Sequence, residues 1–156
     1  MPVVVIKDQK PNPHFLLMGG ESAVCRVVAR FYDRMDGDPG LRVLRNLHAP
    51  DLGESRQKLF DYLCGWLGGP EYYEKKHGPP RLRMRHEHIA IDDVVRDQWM
   101  ACMTAALAPE PLSPEFRREI LAAFHKLATF LRNVPSSHHA LSQSHAPQPV
   151  QPAHPR

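Results

Sequence analysis

No stretch of this sequence reaches the roughly eighteen consecutive apolar residues that a membrane span requires, so no transmembrane helix is expected. Cysteine is scarce. Its three residues are an odd number, without the paired Cys-x-x-Cys spacing of structural zinc, and make a poor disulfide framework. Cys25, Cys64 and Cys102 each sit in a largely apolar stretch of helical pattern, so buried, reduced thiols and a cytoplasmic location are expected. Charge of one sign is lacking too. The formal net charge is +3 over 156 residues, with acidic and basic side chains interspersed, which leaves little footprint for nucleic acid. The opening MPVVVIKDQK has a short apolar stretch with its lysines after it, the reverse of a secretory signal, so export is not expected.

Several catalytic signatures are missing as well. His86-Glu87-His88 begins like a zinc-protease helix, but Ala90 stands where the second helical histidine belongs. No Glu-x-x-His repeat marks a di-iron bundle, and no serine elbow marks a hydrolase. The glycine spacing of a phosphate loop is absent. Those enzyme classes drop out.

What is present is an ordinary share of apolar residues, 42%, on a length that suits one domain. The periodicity predicts helices. Val24, Val27, Val28, Phe31 and Met35 recur at helical spacing until Asp36-Gly37-Asp38-Pro39. A second helix is expected from Glu54 to Leu67, with Leu59, Leu63, Trp66 and Leu67 on one side and Gly68-Gly69-Pro70 as its stop. A third begins near Asp92 and carries Val95, Trp99, Cys102, Met103 and Ala106 on one stripe. A fourth opens at Ser113-Pro114, with Ser as N-cap, and continues through Ile120, Phe124, Leu127 and Leu131. Residues 1–14 are expected to be a flexible extension and 15–135 the folded domain. From residue 136 the composition turns to Ser, His, Gln and Pro, so 136–156 is expected to be disordered, its histidines solvated.

Residues 70–90 hold four prolines or glycines, three arginines and three histidines, with weak periodicity. A loop this long inside a compact domain is commonly wrapped around a ligand. One imidazole is enough to hold haem iron, yet a lone histidine also arises by chance. Spacing alone does not choose between His86, His77 and His88. By themselves Tyr32 and Trp99 read first as core aromatics, although their polar hydrogens need partners when buried. Arg81, Arg83 and Arg85 read as a solvated basic face.

The stretch GWLGGPEYYEKKHGPPRLRMRHEHIAI, followed by RDQWMACMTAAL, resembles the group II truncated haemoglobins. Upstream, GGESAVCRVVARFYDRM is similar to their first helical region and LRNLHAPDL to the turn before the distal helix, so the likeness spans Phe15 to Val134. The resemblance implies an all-α truncated globin, a two-over-two helical sandwich around haem b. Carried onto this sequence, the proximal ligand falls on His86 in LRMRH, the distal tyrosine on Tyr32 after Phe31, and the hallmark tryptophan on Trp99 in RDQW. His48 takes the position between the third and fourth family helices. Ser55 and Leu59 are implied to face the bound ligand, and Lys58, Tyr73 and Arg85 to reach the haem propionates. The turn at His48 is shorter than in some relatives, which bears on the register of Ser55 and Leu59.

The implied function is reversible binding of oxygen and other diatomic gases, by a monomer or homodimer, with an external reductase as a further partner. Hydrogen bonds to a charged acceptor are worth about 1.5–3 kcal/mol each, so two donors at Tyr32 and Trp99 would slow oxygen release. Slow release suits sensing, scavenging or redox chemistry better than bulk carriage. Two other readings stand beside it: a dedicated haem enzyme, peroxidase or nitric oxide dioxygenase, with His48 as acid–base group, and a haem-free helical interaction module.

Overall fold

A computed structural model of the chain describes residues 12–135. The expectations for residues 1–11 and for the tail 136–156 lie outside the described residues. Asn12 and His14 pack on the domain. The Asn12 amide donates to the Trp66 carbonyl (3.3 Å), and the His14 ring lies 3.1 Å from the Glu119 carboxylate.

The described residues form helices and no strands. A single turn, α1 (His14–Met18), leads through Gly19 into α2 (Gly20–Gly37). The predicted spacing holds on α2, where Val24, Val27, Val28, Phe31 and Met35 are all buried. Cys25 is a correction. It lies about 100° around the helix from Val24, on the outer face, and is exposed, whereas Cys64 and Cys102 are buried. Asp38 ends α2 and accepts a hydrogen bond from the Gly40 N–H (2.8 Å), opening a 3-10 turn, Pro39–Leu41, that runs into α3 (Arg42–Arg45).

Next, α4 (Gly53–Trp66) stops before Gly68-Gly69, as expected. The glycine pair does more than end the helix. Gly68 has φ +94°, and a Cβ there would sit 2.5 Å from the Asn12 carbonyl oxygen. A Cβ on Gly69 would sit 2.6 Å from the Phe15 ring. Only bare backbone lets α1 close over the end of α4, where the Phe15 N–H donates to the Leu67 carbonyl (2.8 Å).

The segment 70–90 is less irregular than its sequence suggests. It contains two short helices, α5 (Tyr72–His77) and α6 (Leu82–His86), separated by Gly78, Pro79 and Pro80. Each is too short for a 3.6-residue period to show. The last two helices start where their caps predict. Asp92 accepts from the Val95 N–H (3.1 Å) at the head of α7 (Asp93–Leu107), and Ser113 Oγ from the Phe116 N–H (3.1 Å) at the head of α8 (Pro114–Phe130). In packing, α2 lies against α4 and α7, and α7 against α8, giving two helix pairs joined through α2 and α7. Phe31, Leu63, Met103, Ile120 and Phe124 fill the shared core.

Candidate functional site

A cavity of about 590 Å³ opens beside this core. Such a volume falls within the roughly 300–1,000 Å³ range of cofactor and ligand sites. Its lining comes from far-separated parts of the chain: Tyr32 from α2, Leu44 from α3, Ser55, Lys58, Leu59 and Tyr62 from α4, Tyr73 from α5, and Leu82, Arg85 and His86 from α6. Val95 and Trp99 of α7 and Leu127 and Ala128 of α8 complete the walls with Leu131. All nine residues singled out in the sequence, Tyr32, His48, Ser55, Lys58, Leu59, Tyr73, Arg85, His86 and Trp99, border this one space. A second, outer hollow of about 680 Å³ is lined by Arg83, Met84, Glu87, Asn133 and Val134, and shares His88, Ile89 and Leu131 with the first.

The three histidines of the 70–90 segment are now distinguished. His77 sits on exposed α5, ring against Tyr73 at 4.8 Å, and does not line the cavity. His88 lines it but is exposed. His86 is half-buried, and its Nδ1–H donates to the Leu82 carbonyl one turn back (2.6 Å). Pinning Nδ1 leaves Nε2 as the free nitrogen, the arrangement by which metal-ligating histidines are oriented.

On the α2 side, the Tyr32 hydroxyl donates to the backbone carbonyl of Ser55 (3.2 Å). Burial pushes the Tyr32 pKa above the ordinary tyrosine range, opposed in part by the Arg56 guanidinium 5.7 Å from its ring. The Trp99 ring packs edge-on against Phe31 (5.2 Å) and tilts against Phe124 (5.7 Å). Its indole N–H makes no hydrogen bond among the described residues. His48 lies 6.0 Å from the Tyr32 ring and donates from Nδ1 to the Leu44 carbonyl (2.9 Å). Burial lowers its pKa, opposed by the bond to the Leu44 carbonyl and helped by Arg45 and His86, which favours the neutral imidazole with Nε2 as acceptor.

At the edge, Lys58 is exposed and paired with Glu54 four residues earlier (2.9 Å). Arg85 lies over the Tyr73 ring (5.4 Å) and donates one terminal nitrogen to the His77 carbonyl (2.9 Å). Its Nε–H is buried and has no partner among the described residues. An unspent cationic donor beside a mostly apolar cavity suits a ligand with carboxylates at its edge. Burial raises Tyr62, also on the wall, to about 12, so it too stays protonated. Among the described residues no three His, Cys, Asp or Glu side chains cluster to hold a bare metal ion. An oriented imidazole at His86, mostly apolar walls and the part-buried guanidinium of Arg85 together fit haem.

Sequence reasoning missed much of the wall. Leu44, Leu47, Ile89 and Ile91 line the cavity from segments without periodicity. Leu127 and Leu131, expected only as a continuation of the fourth helix, carry the α8 stripe past Ile120 and Phe124 into half-exposed positions on the cavity. An apolar stripe whose far end stays unburied was the available signal.

The bacterial-like globin family model matches residues 14–133. The group 2 truncated hemoglobin YjbI of Bacillus subtilis is 32% identical over 114 residues, covering 73% of this chain and 84% of that protein. Among solved structures, the cold-adapted truncated hemoglobin of the Antarctic bacterium Pseudoalteromonas haloplanktis superposes with a TM-score of 0.74 at 39% identity, covering 77% of this chain and 97% of that one. The group II 2-on-2 hemoglobin of Agrobacterium tumefaciens gives 0.73 at 37% identity, covering 76% and 92%. The helix pairs, the cavity between them and these likenesses agree: the chain belongs to the bacterial-like globins and, within them, to the group II truncated haemoglobins.

Proposed function

We propose that the cavity holds haem b through His86 and that oxygen and other diatomic gases bind there reversibly, next to Trp99 and Tyr32. The observation that carries this reading is the His86 imidazole on the cavity wall, its Nδ1 spent on the Leu82 carbonyl. Haem would supply an iron that His86 would hold and to which a small gas could bind. Lys58, Tyr73 and Arg85 are assigned to its propionates, and Ser55 and Leu59 to the ligand side.

The two aromatic donors are not equivalent. The Trp99 N–H can only donate, and no acceptor among the described residues competes for it. The Tyr32 proton is engaged by the Ser55 carbonyl, so Tyr32 offers its lone pairs inward unless it gives up that bond. Trp99 is therefore the main donor to a ligand carrying negative charge, with Tyr32 in reserve. The expected cytoplasmic location, external reductase and monomeric or homodimeric state belong to the same proposal. A second reading, peroxide or nitric oxide chemistry, draws on His48: a neutral imidazole with a free lone pair at the cavity can take a proton from peroxide.

The absorption spectrum of the protein with haem tests the main reading. The wild type is expected to show a Soret band. His86→Ala should retain little haem, while His77→Ala and His88→Ala keep full occupancy. Full haem content with an unchanged Soret band in His86→Ala overturns the assignment.

A further inference from the structure

His86 is the last residue of α6, a helix of five residues. A helix so short has no stability of its own in water, so the direction of the imidazole depends on what fastens its two ends. Arg85, next to His86, ties the helix back to α5, its guanidinium donating to the His77 carbonyl (2.9 Å). Directly after His86 comes the turn from Glu87 to Asp92. It is fastened by a residue from the far end of the domain.

Asn133, beyond the end of α8, inserts its side-chain amide into this turn. Nδ2 donates to the His86 carbonyl (3.2 Å) and to the Ile89 carbonyl (2.8 Å), while Oδ1 accepts from the Ile91 N–H (2.8 Å). The Asn133 backbone N–H donates in turn to the Ile91 carbonyl (2.9 Å), and that of Val134 to the same oxygen (3.3 Å). Both amide protons and the amide oxygen are thus matched to three backbone groups of one turn. A carboxylate offers acceptors alone, and a hydroxyl has one proton, so neither reproduces the set.

We propose that Asn133 is a positioning residue for the proximal imidazole: it fixes the backbone of His86 and so the angle at which Nε2 enters the cavity. The inference rests on the reading of His86 as the haem ligand. It makes the end of α8 part of the ligand's support, although Asn133 itself does not line the inner cavity. Groups that orient a metal-bound histidine change metal affinity by about ten- to a hundredfold when removed, and Asn133 acts one step further out, through the backbone.

The test uses the full-length chain. Asn133→Asp keeps the acceptor and the volume but replaces the donor that meets the His86 and Ile89 carbonyls. Arg132→Ala is the control, since it breaks bonds at the same helix end, to Asp93 and to the Thr129 carbonyl. The readouts are the iron–imidazole stretching band of the ferrous, gas-free holoprotein by resonance Raman, and the rate of haem transfer to apomyoglobin. Asn133→Asp is expected to shift or broaden the band and to speed haem transfer about tenfold. Arg132→Ala should leave the band where it is. Should the aspartate fail to fold, Asn133→Ala carries the same expectation. In the apoprotein it should also speed amide exchange at Ile91 and move the His86 ring resonances. A wild-type band that neither Asn133 variant disturbs overturns the inference alone. A wild type with no iron–imidazole band overturns the His86 reading and this inference with it.

Discussion

Trp99 shows how one side chain divides its work. Its rings pack against Phe31 and Phe124, while its N–H is left for whatever enters the cavity. Trp99→Phe keeps most of the apolar contact and removes the donor. Loss of one bond to a charged acceptor is worth about 1.5–3 kcal/mol, so oxygen should leave on the order of ten- to a hundredfold faster. Bound carbon monoxide carries less negative charge, and its release should change far less. Tyr32→Phe loses a bond to the Ser55 carbonyl, so its effect on oxygen release should be the smaller of the two. Stopped-flow dissociation of both gases decides: equal acceleration of oxygen and carbon monoxide by Trp99→Phe would mean steric gating instead. The identities of Tyr32 and Trp99 were legible through the family resemblance. The Tyr32 partner was not, because a backbone carbonyl 23 residues away leaves no trace in the sequence.

At the scale of elements, α5 is fastened to α4 by one buried carboxylate. Asp61 is 2% exposed and accepts from Gln57 Nε2 (2.9 Å) and from Lys76 Nζ (2.7 Å). The two partners differ in exposure, Lys76 being about half in solvent. Lys76→Met should therefore cost the more, about 2–3 kcal/mol, because it strands a buried charge, whereas Asp61→Asn keeps an acceptor and releases a lysine that water can receive. Urea unfolding of the two variants measures the order, and the reverse order would refute the argument. The long helices were legible because α2, α4, α7 and α8 each run long enough for periodicity to register, and α7 and α8 open on caps. Both α5 and α6 were not: their six and five residues follow no period, and what holds them lies on other elements.

The whole molecule closes its core early. Every buried apolar side chain among the described residues lies between Met18 and Ala128, and the last fastenings to the α6–α7 turn come from Asn133 and Val134. A chain cut after Pro135 keeps all of these contacts. It should match the full-length protein in haem retention, gas kinetics and melting temperature, within a degree or two at most by scanning calorimetry. A cut that releases haem would show that residues 136–156 contribute to the fold.

The sequence by itself determined the helical class, four of the eight α-helices among the described residues, the capped starts of α7 and α8 and, through resemblance, nine of the residues that border the cavity. These are matters of local pattern: a 3.6-residue period, a Ser or Asp before a helix, a motif of fixed spacing. Tertiary structure alone decided which histidine has its Nδ1 pinned and its Nε2 free, where the Tyr32 proton goes, and that Asn133 clasps the turn behind His86. Each of those depends on a single hydrogen bond or a few, made to backbone carbonyls and N–H groups. Every residue carries these groups alike, so only the path of the folded chain brings the right ones into reach.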